Sequence, residues 1–352
     1  MRIGLYGLPT AGKSYILSAV RNLEVLSGSF LLRALALGFS DMSEDEKSRI
    51  RKQLALQLRD KDKFIMDGHY SFGDNVVFTE EDGILYDTFI YLYVEPDILA
   101  RRMEDSIRNQ KYLNYDIAKW QTFEIESLRK YCHINNKDFY VVDNPEKGFF
   151  PDISIVLEFI DSIVCGYSCV NYARDVAKQI VIQEAISLVD GDKTLIKEDS
   201  SAVLGYKTHI FDGNYYTGFQ AWRHNRELTD FLRFIEYSGQ SIESMNLNIN
   251  KSILDKISGD AVILTSGHFG TWKQIADKVG MPVFYGAQMS SDTKYFIAKF
   301  LQEKGAFVTA FGDGMNDYYM LEQADTAYLV LKKDGTASSS LKGRNLEGFI
   351  HV

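Results

Sequence analysis

Ile3-Gly4-Leu5-Tyr6-Gly7-Leu8-Pro9-Thr10-Ala11-Gly12-Lys13-Ser14 stands at the start of this chain and contains a complete GxxxxGK[ST] loop. The pattern predicts a short buried strand, a turn in which Gly7 and Gly12 let the backbone approach a ligand closely, and a helix over residues 14–23. In that context successive backbone N–H groups cradle phosphates, Lys13 reaches the β- and γ-phosphates, and Ser14 ligates Mg2+. The stretch therefore predicts a nucleoside triphosphate site, with ATP and Mg2+ as cofactors, on an α/β sheet.

Further along, apolar runs alternate with helical spacing. Strands are expected at residues 64–66, ending on Asp67-Gly68, at 87–94, stopped by Glu95-Pro96, and at 139–142, closed by Asp143-Asn144-Pro145. A charged amphipathic helix is expected at 44–58 and another at 98–107, which carries Arg101 and Arg102 just before Arg108. Such alternation builds a parallel sheet with helices on both faces. Two helices, 153–164 and 170–181, flank Cys165-Gly166-Tyr167 and mark a boundary between domains 1–165 and 166–352. A second strand series follows at 185–189, 261–264, 283–285 and 307–310. A mostly helical insertion, about 200–258, separates the first two of these strands and carries Tyr206, Phe211, Tyr215, Tyr216, Phe219 and Trp222. The fold class expected is α/β, with two doubly wound parallel sheets.

Composition narrows the function. A chain of 352 residues, 45% hydrophobic and 25% charged, is sized and balanced for two or three packed domains. A net charge of −9 argues against broad binding to nucleic acid, which needs a basic field. The 3 cysteines, Cys132, Cys165 and Cys169, are odd in number and lack CxxC spacing, so reduced thiols in a cytoplasmic protein are expected. No uncharged apolar run reaches the roughly 18 residues of a membrane helix, and no membrane partner is expected. The first strand leads directly into the loop, so no cleaved leader is expected. Nothing in the sequence sets the oligomeric state.

The first 160 or so residues resemble the small P-loop kinases of the adenylate and thymidylate kinase type. The loop carries the resemblance, together with Asp67-Gly68 at a strand end and the strand Tyr91-Leu92-Tyr93-Val94 before three arginines. It implies that Arg101, Arg102 and Arg108 form a lid over the nucleotide and that Arg33 binds the acceptor. Arginine suits both tasks because its fork clamps phosphate oxygens. Asp67 holds Mg2+ through water or accepts the proton of an attacking hydroxyl.

Residues 183–330 contain Asp190-Gly191-Asp192-Lys193-Thr194-Leu195 after a buried strand, and later Gly312-Asp313-Gly314-Met315-Asn316-Asp317. Val262-Ile263-Leu264-Thr265-Ser266-Gly267-His268-Phe269 lies between them. This ordered set resembles the haloacid dehalogenase (HAD) superfamily, in its phosphoserine phosphatase-like branch. The resemblance implies that Asp190 attacks phosphorus and that Asp192, two residues on, serves as acid and then base. Ser266 takes the phosphate-binding place, with Thr265 next in line, and His268 departs from the usual glycine. Lys294 is the expected charge-offsetting lysine, Lys299 the second choice. Asp313 ligates Mg2+ with Asp190 and the main-chain carbonyl of Asp192. Gly267 and Asp317 complete the substrate-binding set, with Asp317 orienting the lysine or lying in the outer shell. An oxygen-only donor set suits Mg2+. The insertion reads as a helical cap, whose aromatics either stack on a base or pack the cap itself.

Three functions fit. The first is a bifunctional enzyme that phosphorylates a small, nucleotide-like acceptor and hydrolyses a small phosphorylated metabolite. The second is a polynucleotide kinase-phosphatase, which the acidic charge and the cap disfavour. The third is a phosphatase regulated by a nucleotide-sensing P-loop domain.

Overall fold

The computed structural model describes residues 1–182, 184–205, 207–236, 245–286 and 288–352, with backbone alone for 228–236. Tyr206 of the insertion lies outside the described residues, as do 237–244. The chain forms two compact units, Met1–Tyr167 and Ser168–Val352. Both are α/β.

In the first unit the strands are β1 (Arg2–Tyr6), β2 (Glu24–Ser27), β3 (Phe64–Asp67), a small hairpin of β4 (Ser71–Phe72) and β5 (Asn75–Val76), β6 (Thr88–Leu92) and β7 (Asp138–Val142). The helices are α1 (Lys13–Ala19), α2 (Gly28–Leu35), α3 (Glu44–Leu58), α4 (Glu80–Leu85), α5 (Pro96–Glu104), α6 (Ile117–Ile134) and α7 (Ile153–Val164). The main sheet has the order β2-β3-β1-β6-β7 and is parallel throughout. Every residue of β6, Thr-Phe-Ile-Tyr-Leu, is buried, as a central parallel strand covered on both faces requires. Leu5 pairs with Asp67, so the loop after β1 and the acid ending β3 emerge at the same carboxyl edge.

Two local readings are corrected. The first helix ends at Ala19, short of residue 23, because Val20 turns to extended geometry (φ −63°, ψ 137°). The chain then forms edge strand β2, whose Glu-Val-Leu-Ser buries only Leu26 and so shows no apolar run. The start of α3 is a capping box. Ser43 N donates to Glu46 Oε2 at 2.9 Å, and Glu46 N donates to Ser43 Oγ at 3.4 Å.

In the second unit the strands are β8 (Ala185–Asp190), β9 (Asp260–Thr265), β10 (Val283–Tyr285), β11 (Phe307–Gly312), β12 (Thr326–Leu329) and β13 (Ile350–His351). The helices are α8 (Cys169–Gln179), α9 (Ser200–Val203), α10 (Gly218–Glu236), α11 (Lys251–Leu254), α12 (Phe269–Val279), α13 (Ser291–Glu303) and α14 (Met315–Gln323). The sheet order is β10-β9-β8-β11-β12-β13, again parallel. Alternate residues serve two cores. Leu188, Leu264 and Val308 pack with Phe296 and Met320 on one face, while Val189, Ile263 and Phe311 pack with Trp272 on the other. Among the described residues no single helix is long and apolar enough to cross a membrane.

Candidate active sites

The N-terminal site is built on the turn after β1. Gly7 (φ 144°), Thr10 (φ 67°) and Gly12 (φ 105°) take left-handed geometry, and a Cβ on Gly7 would come 2.9 Å from the Leu92 carbonyl oxygen. Lys13 Nζ donates to the carbonyls of Gly7 and Leu8, the latter at 3.3 Å. Burial pushes this lysine down to about 8, against the opposing pull of Glu124 and Asp67.

A cavity of about 960 Å3 opens above the loop. Lys13, Ser14, Arg33, Asp67 and Arg108 all line it, so the structure brings these expected residues together. Asp67 Oδ1 accepts a hydrogen bond from Gly28 N at 2.8 Å, which fixes the carboxylate against the start of α2. Arg102 braces the loop instead of lining the cavity. Its Nη1 donates to Thr10 O at 3.3 Å, and its guanidinium sits over Phe149 at 5.4 Å. Arg101 is not brought to the nucleotide side. It is exposed, and its Nε donates to Asp97 O at 3.2 Å on its own helix.

The sequence reading missed the far end of the cavity. Lys47 and Arg51 on α3, His69 beyond β3, and Lys111 with Tyr112 after α5 all line it. Lys47 and Arg51 stand one turn apart on one helix face, a signal visible in the sequence. Nor did it assign α6, which carries the fully buried Glu124. Glu124 Oε1 accepts from Ser71 N (2.8 Å), Ser71 Oγ (2.9 Å) and Trp120 Nε1 (3.2 Å), and Oε2 accepts from Tyr91 OH at 2.9 Å.

The C-terminal site gathers at the carboxyl edge of the second sheet. Lys294 Nζ donates to Asp190 Oδ1 at 2.6 Å and to Asp317 Oδ1 at 2.7 Å. Asp317 Oδ2 in turn accepts from Asp313 N (3.1 Å) and Gly314 N (3.3 Å), which pins the second acidic loop. Lys299, five residues along α13, lies against the ring of Phe296 at 5.9 Å and takes no part. Asp190, Asp313 and Asp317 offer carboxylate oxygens within 4.8 Å of one another. Burial, then the charge of Asp317, raises Asp190 well above the usual carboxylate range. Asp313 is pushed up to about 7 by burial and by Asp317. Burial pulls Lys294 down, but Asp190 and Asp317 outweigh it and hold the ammonium protonated. Three carboxylates around one ammonium leave an excess of negative charge on oxygen donors, which fits Mg2+.

The carboxylate of Asp192 is not part of that cluster. It faces the insertion, and its Oδ1 accepts from Ser200 N, at the start of α9, at 2.6 Å. Burial lifts it to about 6. At the end of β9 the buried Thr265 spends its Oγ1 on the N–H of Gly267, at 3.0 Å, while Ser266 is half-buried. The glycines have a shared cause that the sequence did not reveal. The fully buried indole of Trp272 fills the space where a Cβ on Gly191 (2.5 Å) or Gly267 (2.2 Å) would stand. In the insertion, Phe211 and Tyr216 stack at 5.3 Å, and Tyr216 O accepts from Ser291 Oγ at 2.6 Å.

A family model described as an AAA domain matches residues 6–118, the stretch that carries the loop, Arg33 and Asp67. No curated protein matches the chain. Among solved structures, the chain is similar to the shikimate kinase of Bacteroides thetaiotaomicron at 14% identity and a TM-score of 0.31, covering 47% of this chain and 98% of that one. It is also similar to a HAD family hydrolase of Salmonella enterica subsp. enterica serovar Typhi at 16% identity and a TM-score of 0.31, covering 52% of this chain and 75% of that one. The strand orders above show the fold class: two α/β units, each built on a parallel sheet.

Proposed function

We propose that the chain is a bifunctional enzyme of phosphoryl chemistry. The N-terminal unit transfers the γ-phosphoryl of ATP to a small, nucleotide-like acceptor. The C-terminal unit hydrolyses a phosphomonoester through an aspartyl phosphate. The observation that carries this reading is the buried Lys294 ammonium between Asp190 and Asp317, beside Asp313.

With Oδ1 held by Lys294, Asp190 attacks phosphorus through Oδ2. The ester P–O bond breaks, and the leaving oxygen takes a proton from Asp192. Asp192 then accepts a proton from water, whose oxygen attacks phosphorus. The bond to Asp190 breaks and inorganic phosphate leaves. Mg2+, held by Asp190, Asp313 and the main-chain carbonyl of Asp192, would offset charge on the phosphoryl group. Ser266 takes the phosphoryl oxygens, beside the Gly267 N–H that Thr265 Oγ1 holds. In the other unit, Lys13 exchanges its carbonyl partners for phosphate oxygens, and Asp67 steers the attacking hydroxyl.

The insertion beside Asp192 and the net charge of −9 support small substrates over strand ends. Phosphatase kcat/KM is compared on free nucleotides, sugar phosphates and a 3′-phosphorylated oligonucleotide, at two salt concentrations. The expected preference for the small substrates is at least about tenfold. A preference for the oligonucleotide that collapses at high salt would establish end repair instead. Asp190→Asn should lose several orders of magnitude in turnover, and Lys13→Ala should abolish transfer while leaving the phosphatase unchanged. Loss of phosphatase activity in Lys13→Ala would make the P-loop unit a regulator.

A further inference from the structure

The turn after β3 carries a side chain that neither step above uses. His69 lies two residues beyond Asp67 and lines the same cavity as Lys13 and Arg33. Its Nδ1 is buried and has no hydrogen-bond partner among the described residues. Burial first, then the charge of Lys13, disfavours the imidazolium. The neutral ring offers one donor and one acceptor nitrogen. A buried polar atom without a partner is costly, and a ligand that pairs it removes that cost.

The mount is rigid. Gly68 N donates to Leu5 O at 2.9 Å on one side of His69. On the other, Ser71 is tied through N and Oγ to the buried Glu124 carboxylate, at 2.8 and 2.9 Å. The His69 ring lies 4.7 Å from that of Phe72. A group held this way loses little freedom when a ligand binds. Its surroundings describe the ligand. Lys13, Arg33, Arg51, Arg108 and Lys111 line the same space, and of the acids that line it too, Glu44 is taken by Lys47 at 2.8 Å, Asp67 accepts from Gly28 N at 2.8 Å and Asp82 from Thr79 N at 3.0 Å. A ligand that reaches His69 is therefore best matched when it bears negative charge.

Resting on the phosphoryl-transfer reading above, we propose that His69 is a specificity-determining residue of that site. Its imidazole hydrogen-bonds a hydroxyl or N–H of a small anionic acceptor, and compounds that cannot form this bond are rejected.

The test uses the full chain as wild type, His69→Asn and His69→Leu. Asparagine keeps a polar atom near the position of Nδ1, and leucine fills the space without one. Transfer from γ-labelled ATP is measured into nucleoside monophosphates, hydroxy acids and sugar phosphates, and ATP binding is measured by calorimetry. For the acceptor that the wild type labels, His69→Leu should lower kcat/KM about 10- to 100-fold, mainly through the acceptor KM. His69→Asn should recover about a fivefold share or more, and the KM for ATP should stay within about threefold in both. Should the leucine variant lose ATP binding, His69→Ala replaces it under the same thresholds. An acceptor kcat/KM within about twofold of wild type, or an ATP KM that moves as far as the acceptor KM, overturns the role of His69 alone. A wild type that binds ATP but labels none of the panel overturns the transfer reading, and this inference with it.

Discussion

Replacing Lys294 by methionine probes the C-terminal site at its centre, because it keeps the length of the side chain and removes the charge. The ammonium is 0% exposed and stands 2.6 Å from Asp190 and 2.7 Å from Asp317. Removing one partner of a buried ion pair costs about 3–5 kcal/mol, since the surviving charge is stranded. Two carboxylates would be stranded here, beside Asp313, so the upper half of that range applies, about 4–5 kcal/mol. At about 2–4 °C per kcal/mol for a unit of this size, the midpoint should fall by about 8–20 °C. Differential scanning calorimetry of the full chain gives the measurement, read on the transition that ATP does not raise. Adding Asp317→Asn should return at least about 1 kcal/mol, because it removes one stranded charge. Mg2+ should raise the midpoint of Lys294→Met more than that of the wild type, since a cation supplies the missing charge. Phosphatase turnover should fall at least about 100-fold. A midpoint within about 2 °C of wild type, with additive single and double variants, would refute the buried triad.

His224, in α10, is buried with its ring 5.1 Å from that of Phe211, and burial pushes it down to about 4 against the pull of Asp199. Its folded value lies below the unfolded one, so the unfolded chain binds the extra proton. The contribution is complete above about pH 6.5 and is lost towards pH 4, at up to about 1.4 kcal/mol per pH unit. His224→Phe should flatten the loss of stability between pH 7.5 and 5 in denaturant titrations, and an unchanged acid slope would reject the assignment. Gly267→Ala should destabilise the C-terminal unit by about 1–3 kcal/mol through overpacking. Its Cβ would meet the Trp272 indole nitrogen at 2.2 Å. The same substitution should cost less in a Trp272→Leu background, and an equal cost in both would show that the indole is not the obstacle.

Several features were legible because their chemistry is local. A loop that cradles phosphates needs glycines and a lysine at fixed offsets, and two carboxylates serving one phosphorus need only an i, i+2 spacing after a buried strand. Less legible were elements whose reason lies elsewhere in the fold. Strand β2 exists because the backbone of β3 pairs with it, while its own residues bury little. Glu124 reads as one more acid on a helix until the fold sets it against Ser71, Trp120 and Tyr91.

The sequence by itself determined the parallel α/β class and the places along the chain where the candidate site residues stand. Tertiary structure decided which side chains meet. Lys294 and Lys299 are equivalent as letters, yet five residues at 100° each put them on different faces of α13, and only the face that carries Lys294 reaches Asp190. The same rule of faces leaves Arg101 in solvent while Arg102 touches the loop. It also spends Thr265 on its own turn. Gly191 acquires its reason only when a tryptophan 81 residues away, five beyond Gly267, arrives against both glycines, and His69 becomes part of a site only when β3 brings it to the cavity that Lys13 lines. Spacing along a chain specifies what a segment can do chemically. Which face it turns inward, and what it finds there, is set by packing against residues far away in sequence.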